Sequence, residues 1–177
     1  MEKMIKVGDR EVAFKATANT PRIYRQKFTR DFLVDIQSLQ TALDDLKKKK
    51  IPLTMDVLEI FENTAYVMAK QADPDVPDTP DEWLDGFDMF SIYEILPQIV
   101  ALWGVNMQIT TESKKKSKQT ERPLTTALFL LRCIQQGIPM SDLDLLDMGM
   151  ILDMFIEAGN DDFEWPIIAD QDDFDRF

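Results

Sequence analysis

The sequence predicts a mainly α-helical protein with one small N-terminal β-hairpin, and three observations carry that expectation. Apolar residues recur every three or four positions along most of the chain, the spacing of one face of a helix. The first fifteen residues alternate instead, as half-buried strands do. A stretch from Ile109 to Arg122, with Thr-Thr-Glu-Ser-Lys-Lys-Lys-Ser-Lys-Gln-Thr-Glu at its centre, lacks the apolar residues needed to order it. The expected organisation is a helical N-terminal domain over 1–108, a flexible linker over 109–122 and a small helical C-terminal extension over 123–177.

The elements follow in order. Lys3–Val7 and Glu11–Lys15 flank Gly8-Asp9-Arg10, and Gly and Asp suit a tight hairpin turn. Thr20-Pro21 marks a helix start, with Thr as cap and Pro in the first turn. Tyr24, Phe28, Phe32, Ile36, Leu39, Leu43 and Leu46 form the stripe behind it, with a break expected near Thr29-Arg30-Asp31. Lys47–Lys50 should end that helix, because cations favour the negative end of the helix dipole. Thr54 caps a second helix to about Gln71, with Val57, Phe61, Ala65 and Met68 on its apolar face. Pro74, Pro77 and Pro80 exclude regular structure from the next segment. Thr79-Pro80-Asp81-Glu82 opens a helix bearing Trp83, Leu84 and Phe87, and Met89 to about Met107 makes another, which Pro97 should kink. Beyond the linker, Pro123–Gln136 reads as a helix stopped by Gly137, and Ser141-Asp142-Leu143-Asp144 as the cap of a last helix reaching Gly159-Asn160.

Composition narrows the function. The chain has no histidine, the side chain most used for proton transfer near neutral pH and the commonest zinc ligand. Its one cysteine, Cys133, excludes an intrachain disulfide and any multi-cysteine metal site, and a reducing compartment is expected. No signal peptide and no run long enough to span a membrane is visible, so the expected location is the cytoplasm. The net charge of −12 is unevenly spread: 12 basic against 7 acidic residues in 1–50, 1 against 11 in 51–111, 5 against 2 in 112–123 and 2 against 12 in 124–177. Acidic blocks repel phosphate, so sequence-independent binding to nucleic acid is disfavoured except at the N-terminal 50 residues, and no nucleic-acid partner is expected. Those charges serve either as solvated helix surface or as docking faces for a partner or another copy.

Residues for chemistry are scarce. Asp170-Gln-Asp172-Asp173-Phe-Asp175 lacks the glycine and the final glutamate of a calcium loop, and Asp73-Pro-Asp75-Val-Pro-Asp78 has prolines where such a loop must wrap. Asp142, Asp144 and Asp147 fit capping and surface roles. Cys133 sits in an apolar run with no histidine base, and the six glycines form no phosphate loop. No catalytic residue, cofactor or metal is expected. Binding is better supported. Met140, Met148, Met150 and Met154 cluster late in the chain; thioethers fill cores and also adapt to varied apolar partners. Phe163, Trp165, Phe174 and Phe177 exceed what a small extension can bury, which makes them the candidate partner-binding residues.

Two end motifs carry a resemblance. Ile5-Lys-Val-Gly-Asp-Arg-Glu-Val-Ala-Phe-Lys-Ala-Thr-Ala-Asn-Thr-Pro-Arg-Ile-Tyr-Arg25, then Phe28 and Asp31, form the first. Thr126-Ala-Leu-Phe-Leu-Leu-Arg-Cys133, Asp153-Met-Phe-Ile-Glu-Ala-Gly-Asn160 and Asp170-Gln-Asp-Asp-Phe-Asp-Arg-Phe177 form the second. Together they resemble the tail assembly chaperones of long-tailed, siphovirus-type phages of Gram-positive bacteria, with residues 40–110 similar in pattern only. The resemblance implies an N-terminal domain made alone and, by ribosomal frameshifting, also fused through a linker to a C-terminal extension. It implies that the first coats the tape-measure protein and the second recruits the major tail (tube) protein, and that the chaperone leaves before the virion is complete. Self-association stays open. An acidic DNA mimic or inhibitor and a structural tail component are the alternative readings.

Overall fold

The computed structural model describes residues 1–49, 53–113 and 123–161. Strands β1 (Glu2–Val7) and β2 (Arg10–Lys15) pair antiparallel, with Val7 opposite Arg10 across a two-residue turn. Gly8 holds φ +58 there, a conformation glycine adopts without strain. The alternation buries Ile5, Val7 and Phe14 on one face, while Met4 and Lys6 on the other face are exposed.

Helix α1 (Thr20–Phe28) and helix α2 (Phe32–Lys49) share the expected stripe. The break falls where the sequence placed it: Thr29 adopts φ 59, and its N–H closes α1 on the Arg25 carbonyl. The start of α1 differs from the expectation. Thr20 lies inside the helix, accepts a hydrogen bond from the Thr17 N–H and donates its own hydroxyl to Gln71 at 2.7 Å. Helix α3 (Met55–Ala72) carries the Thr54 cap on the Val57 N–H as expected, but it is not a surface helix. From Ile60 to Ala69 nearly every side chain is buried, Asn63 and Thr64 included, so α3 is the central post of the fold.

Around it stand β2, α1, α2, the short helix α4 (Pro80–Leu84, capped by Thr79) and helix α5 (Ile92–Asn106). Helix α5 runs through Pro97 without interruption. Aromatic rings knit this body together: Trp83 meets Phe14, Tyr66, Phe87 and Phe90, and Phe32 meets Trp103 with centroids 4.7 Å apart. An ion pair sits at its edge, with Asp35 buried and Arg30 about one-third exposed. Arg30 grips Asp35 with two donors, Nε at 2.7 Å and Nη2 at 3.0 Å, and the Tyr24 hydroxyl donates to the same carboxylate at 2.8 Å. Burial, together with the adjacent Asp35 charge, pushes the Tyr24 phenol well above its ordinary range.

The C-terminal part consists of α6 (Thr126–Gln135), a 3-10 turn over Met140–Asp144 and α7 (Met148–Asn160). Its last helix is capped by Asp147, which accepts from Met150 N–H at 2.8 Å; the Ser141–Asp144 stretch expected to cap it forms the 3-10 turn. Phe129, Cys133, Ile138, Leu143, Met148 and Ile151 join the same continuous core as the N-terminal body. No helix among the described residues is long and apolar enough to cross a membrane.

Candidate functional site

Two grooves stand out on the described surface, and a polar seam holds the C-terminal arm in place. The first is an open groove between α2 and the start of α3. Val34 and Ala42 on one wall face Leu53 and Val57 on the other, enclosing a volume of about 510 Å³. Gln37, Ser38, Thr41 and Thr54 make its rim, and Asp45 is the one ionised group among its described lining residues. The α2 stripe explains the groove. Phe32, Ile36, Leu39 and Leu43 turn inward, so Val34, Thr41 and Ala42 fall on the outer side, where α2 parts from α3. Val34 is 44% exposed there.

The second is a smaller groove of about 420 Å³ between α1 and α6, lined by Arg22, Arg25, Gln26, Leu130 and Met140. Apolar surface and guanidinium groups meet in it. Arg22 donates to the Met140 carbonyl at 3.5 Å and Arg25 to Asp31 at 3.4 Å, both long contacts.

The seam between body and arm is polar and specific. Asp31 accepts from the Leu33 N–H at 3.1 Å as the cap of α2, and from the Thr126 N–H at 3.0 Å and hydroxyl at 2.9 Å as a cap of α6. Two helix N-termini thus converge on one carboxylate, where the positive ends of both dipoles favour its charge. Asn106, fully buried at the end of α5, accepts from the first N–H of α7, that of Met148. The Ala18 N–H donates to the Leu146 carbonyl at 2.9 Å, and Asp144 accepts from Asn19 Nδ2 at 3.0 Å. Gly149 lies so close to the Gln108 backbone that a Cβ there would stand 1.7 Å from the carbonyl oxygen. Asp153 on α7 accepts from the N–H groups of Thr110 and Thr111, each at 2.9 Å, and Asn160 donates to the Glu112 carbonyl at 3.1 Å. Those backbone hydrogen bonds hold the Asp153 carboxyl below the usual carboxylate range. The beginning of the segment read as a linker is therefore bound to α7, while 114–122 lies outside the described residues.

The residues chosen from the sequence as partner-binding, Phe163, Trp165, Phe174 and Phe177, lie outside the described residues, as does Asp170–Asp175. Of the late methionines, Met148 is buried and Met140 half-buried, whereas Met150 and Met154 are exposed. Cys133 is buried, which lifts its thiol to about 11. Among the described residues no group of three or more His, Cys, Asp or Glu is placed to hold a metal ion. Neither groove was legible as such in the sequence: the first depends on where α2 parts from the helix that follows it, and the second joins α1 to the distant α6. No family model, no curated protein and no solved structure matches this chain.

Proposed function

We propose that the protein is a tail assembly chaperone of a long-tailed phage, a non-enzymatic binding protein of the host-cell cytoplasm. In this reading it holds the tape-measure protein in solution, recruits major tail-tube subunits during tail morphogenesis and does not remain in the virion. The observation that carries the binding part is the groove between α2 and α3. Its apolar walls and mostly uncharged polar rim suit the apolar face of a helix laid along it, anchored at i and i+3 or i+4. A tape-measure protein, a long helix with apolar faces awaiting a tube, offers that chemistry. The two end motifs quoted above support the family part of the reading, and the acidic surface keeps such a complex soluble.

Co-expression with the neighbouring tape-measure and tube genes, followed by pull-down, tests it. The intact chain should bring down soluble tape-measure protein, and Val34→Glu with Thr41→Glu should lose it while folding normally, since both positions are exposed on one face of α2. Capture of a DNA-binding protein that salt removes would favour the DNA-mimic reading. Persistence in purified particles would favour a structural component.

A further inference from the structure

The hairpin leaves one edge of its sheet without a neighbour. Met1 and Ala16 exchange hydrogen bonds at 2.9 and 2.8 Å, and pairing alternates along an antiparallel ladder, so Lys3, Ile5 and Val7 are the β1 residues that bond to β2. The N–H and C=O groups of Glu2, Met4 and Lys6 therefore point away from β2, and among the described residues no backbone or side chain meets them. All three side chains are exposed, Met4 by 53%. The opposite edge of the hairpin is walled instead: Arg10–Ala13 of β2 line a groove of about 360 Å³ whose far side includes Val76, Pro77 and Trp83. An open strand edge is a template for another strand, and its charges decide which strand it admits.

Glu2, Met4 and Lys6 read as acid, apolar, base, an order that complements itself when the strand is turned end for end. We propose that β1 pairs antiparallel with β1 of a second copy about a two-fold axis at Met4, joining two hairpins into one four-stranded sheet. Glu2 lies opposite the partner's Lys6 and Met4 opposite the partner's Met4, and each free N–H meets a free C=O. Within one hairpin Glu2 already stands opposite Lys15, and Lys6 opposite Glu11, without an ion pair between them. The outer rows of the joined sheet thus alternate in sign, from Lys15 through Glu2 to the partner's Lys6 and the partner's Glu11, on either side of a middle row of Ala13 and Met4. Parallel pairing would set like charges against each other, and a slip of two residues would set Met4 against a charge. Asp9, Asp88 and Glu94, the acids about the turn, stand at the end of β1 that receives the first residues of the partner strand, near the partner's Lys3. The net charge of −12 opposes association, but residues 1–15 carry Lys3, Lys6, Arg10 and Lys15 against Glu2, Asp9 and Glu11. Charges farther off than about 8 Å are largely screened at physiological salt. This inference is independent of the assembly reading, and the purified chain alone tests it.

Sedimentation of the purified full chain from about 10 μM to about 1 mM covers the range in which so small an interface populates, and should show a monomer–dimer equilibrium. Met4→Pro deletes an outward N–H but no rung of the β1–β2 ladder, and should weaken the dimer about tenfold or more. Glu2→Lys and Lys6→Glu should each weaken it likewise. Glu2→Lys is the sharper of the two, because it lowers the net negative charge and would strengthen an unspecific contact between these acidic chains. An equal mixture of the two charge variants should form the dimer again, now between unlike chains, since both charged pairs across the interface are then opposite in sign. Should Met4→Pro unfold the chain, the mixture decides alone. A monomer at about 1 mM, a dimer that folded Met4→Pro or the single reversals leave intact, or a mixture no tighter than either variant by itself would each overturn the proposal.

Discussion

The N-terminal body and the C-terminal arm are built from the same element and held by different physics. In the body, rings carry the packing: Phe14, Trp83, Tyr66, Phe28, Tyr24, Phe32 and Trp103 form a connected series from the hairpin to α5. Among the described residues the arm has one ring pair of its own, Phe129 with Phe155 at 6.2 Å, and no ring pair crosses the seam. What crosses it, around a continuous apolar core, are hydrogen bonds, among them two that meet helix N-termini: Asp31 at α6 and Asn106 at α7. Ring burial is non-directional and tolerates small shifts, whereas caps hold only at one geometry. The arm is therefore the part expected to open first, with the body intact beneath it.

That contrast can be broken at either end. The largest effect is expected in the body: Trp103→Ala removes a fully buried ring from Phe32 and should cost about 3–5 kcal/mol, seen as loss of the whole unfolding transition at moderate denaturant. At the seam, Asp31→Ala uncaps α2 and takes the acceptor from the Thr126 N–H and hydroxyl at the start of α6, whose own cap Thr125 remains, and should cost about 2 kcal/mol in chemical denaturation. Arm attachment should also respond to acid. The Asp153 carboxyl is held below its ordinary value of 3.8, so its contribution is present above that value and is lost as pH falls through the lower folded one. Asp153→Asn should remove that part of the acid dependence while leaving the neutral-pH fold in place, measurable by the Thr110 and Thr111 amide signals. The smallest effect is a gain. Thr29, a β-branched residue at φ 59, should yield about 1 kcal/mol of added stability as Thr29→Gly.

The same division separates what the sequence disclosed from what it concealed. Local physics was legible: the alternation around Gly8, the break at Thr29 and the caps at Thr54 and Thr79 all depend on neighbours in the chain. The Thr20 and Ser141 assignments differ because each stretch offers several capping side chains, and tertiary contacts choose among them. Gln71 takes the Thr20 hydroxyl, and Asp147 rather than Ser141 meets the first turn of α7. The encirclement of α3 was half visible, since Val57, Phe61, Ala65 and Met68 mark one face but say nothing about Asn63 and Thr64 on the others. The seam was not visible at all. Asp31 and Thr126 are 95 residues apart, and nothing local to Asp31 distinguishes a carboxylate that caps one helix from one that caps two.

Native-state hydrogen exchange on Gly149→Ala tests the body–arm contrast most directly, because the added Cβ would stand 1.7 Å from the Gln108 carbonyl oxygen and forces α7 off its seat without touching the body's rings. The account predicts that protection of the α6 and α7 amides collapses while the slowest amides of α3, from Ile60 to Ala69, keep theirs. A fall in α3 protection equal to that in α7 would contradict it, and would make body and arm a single cooperative unit.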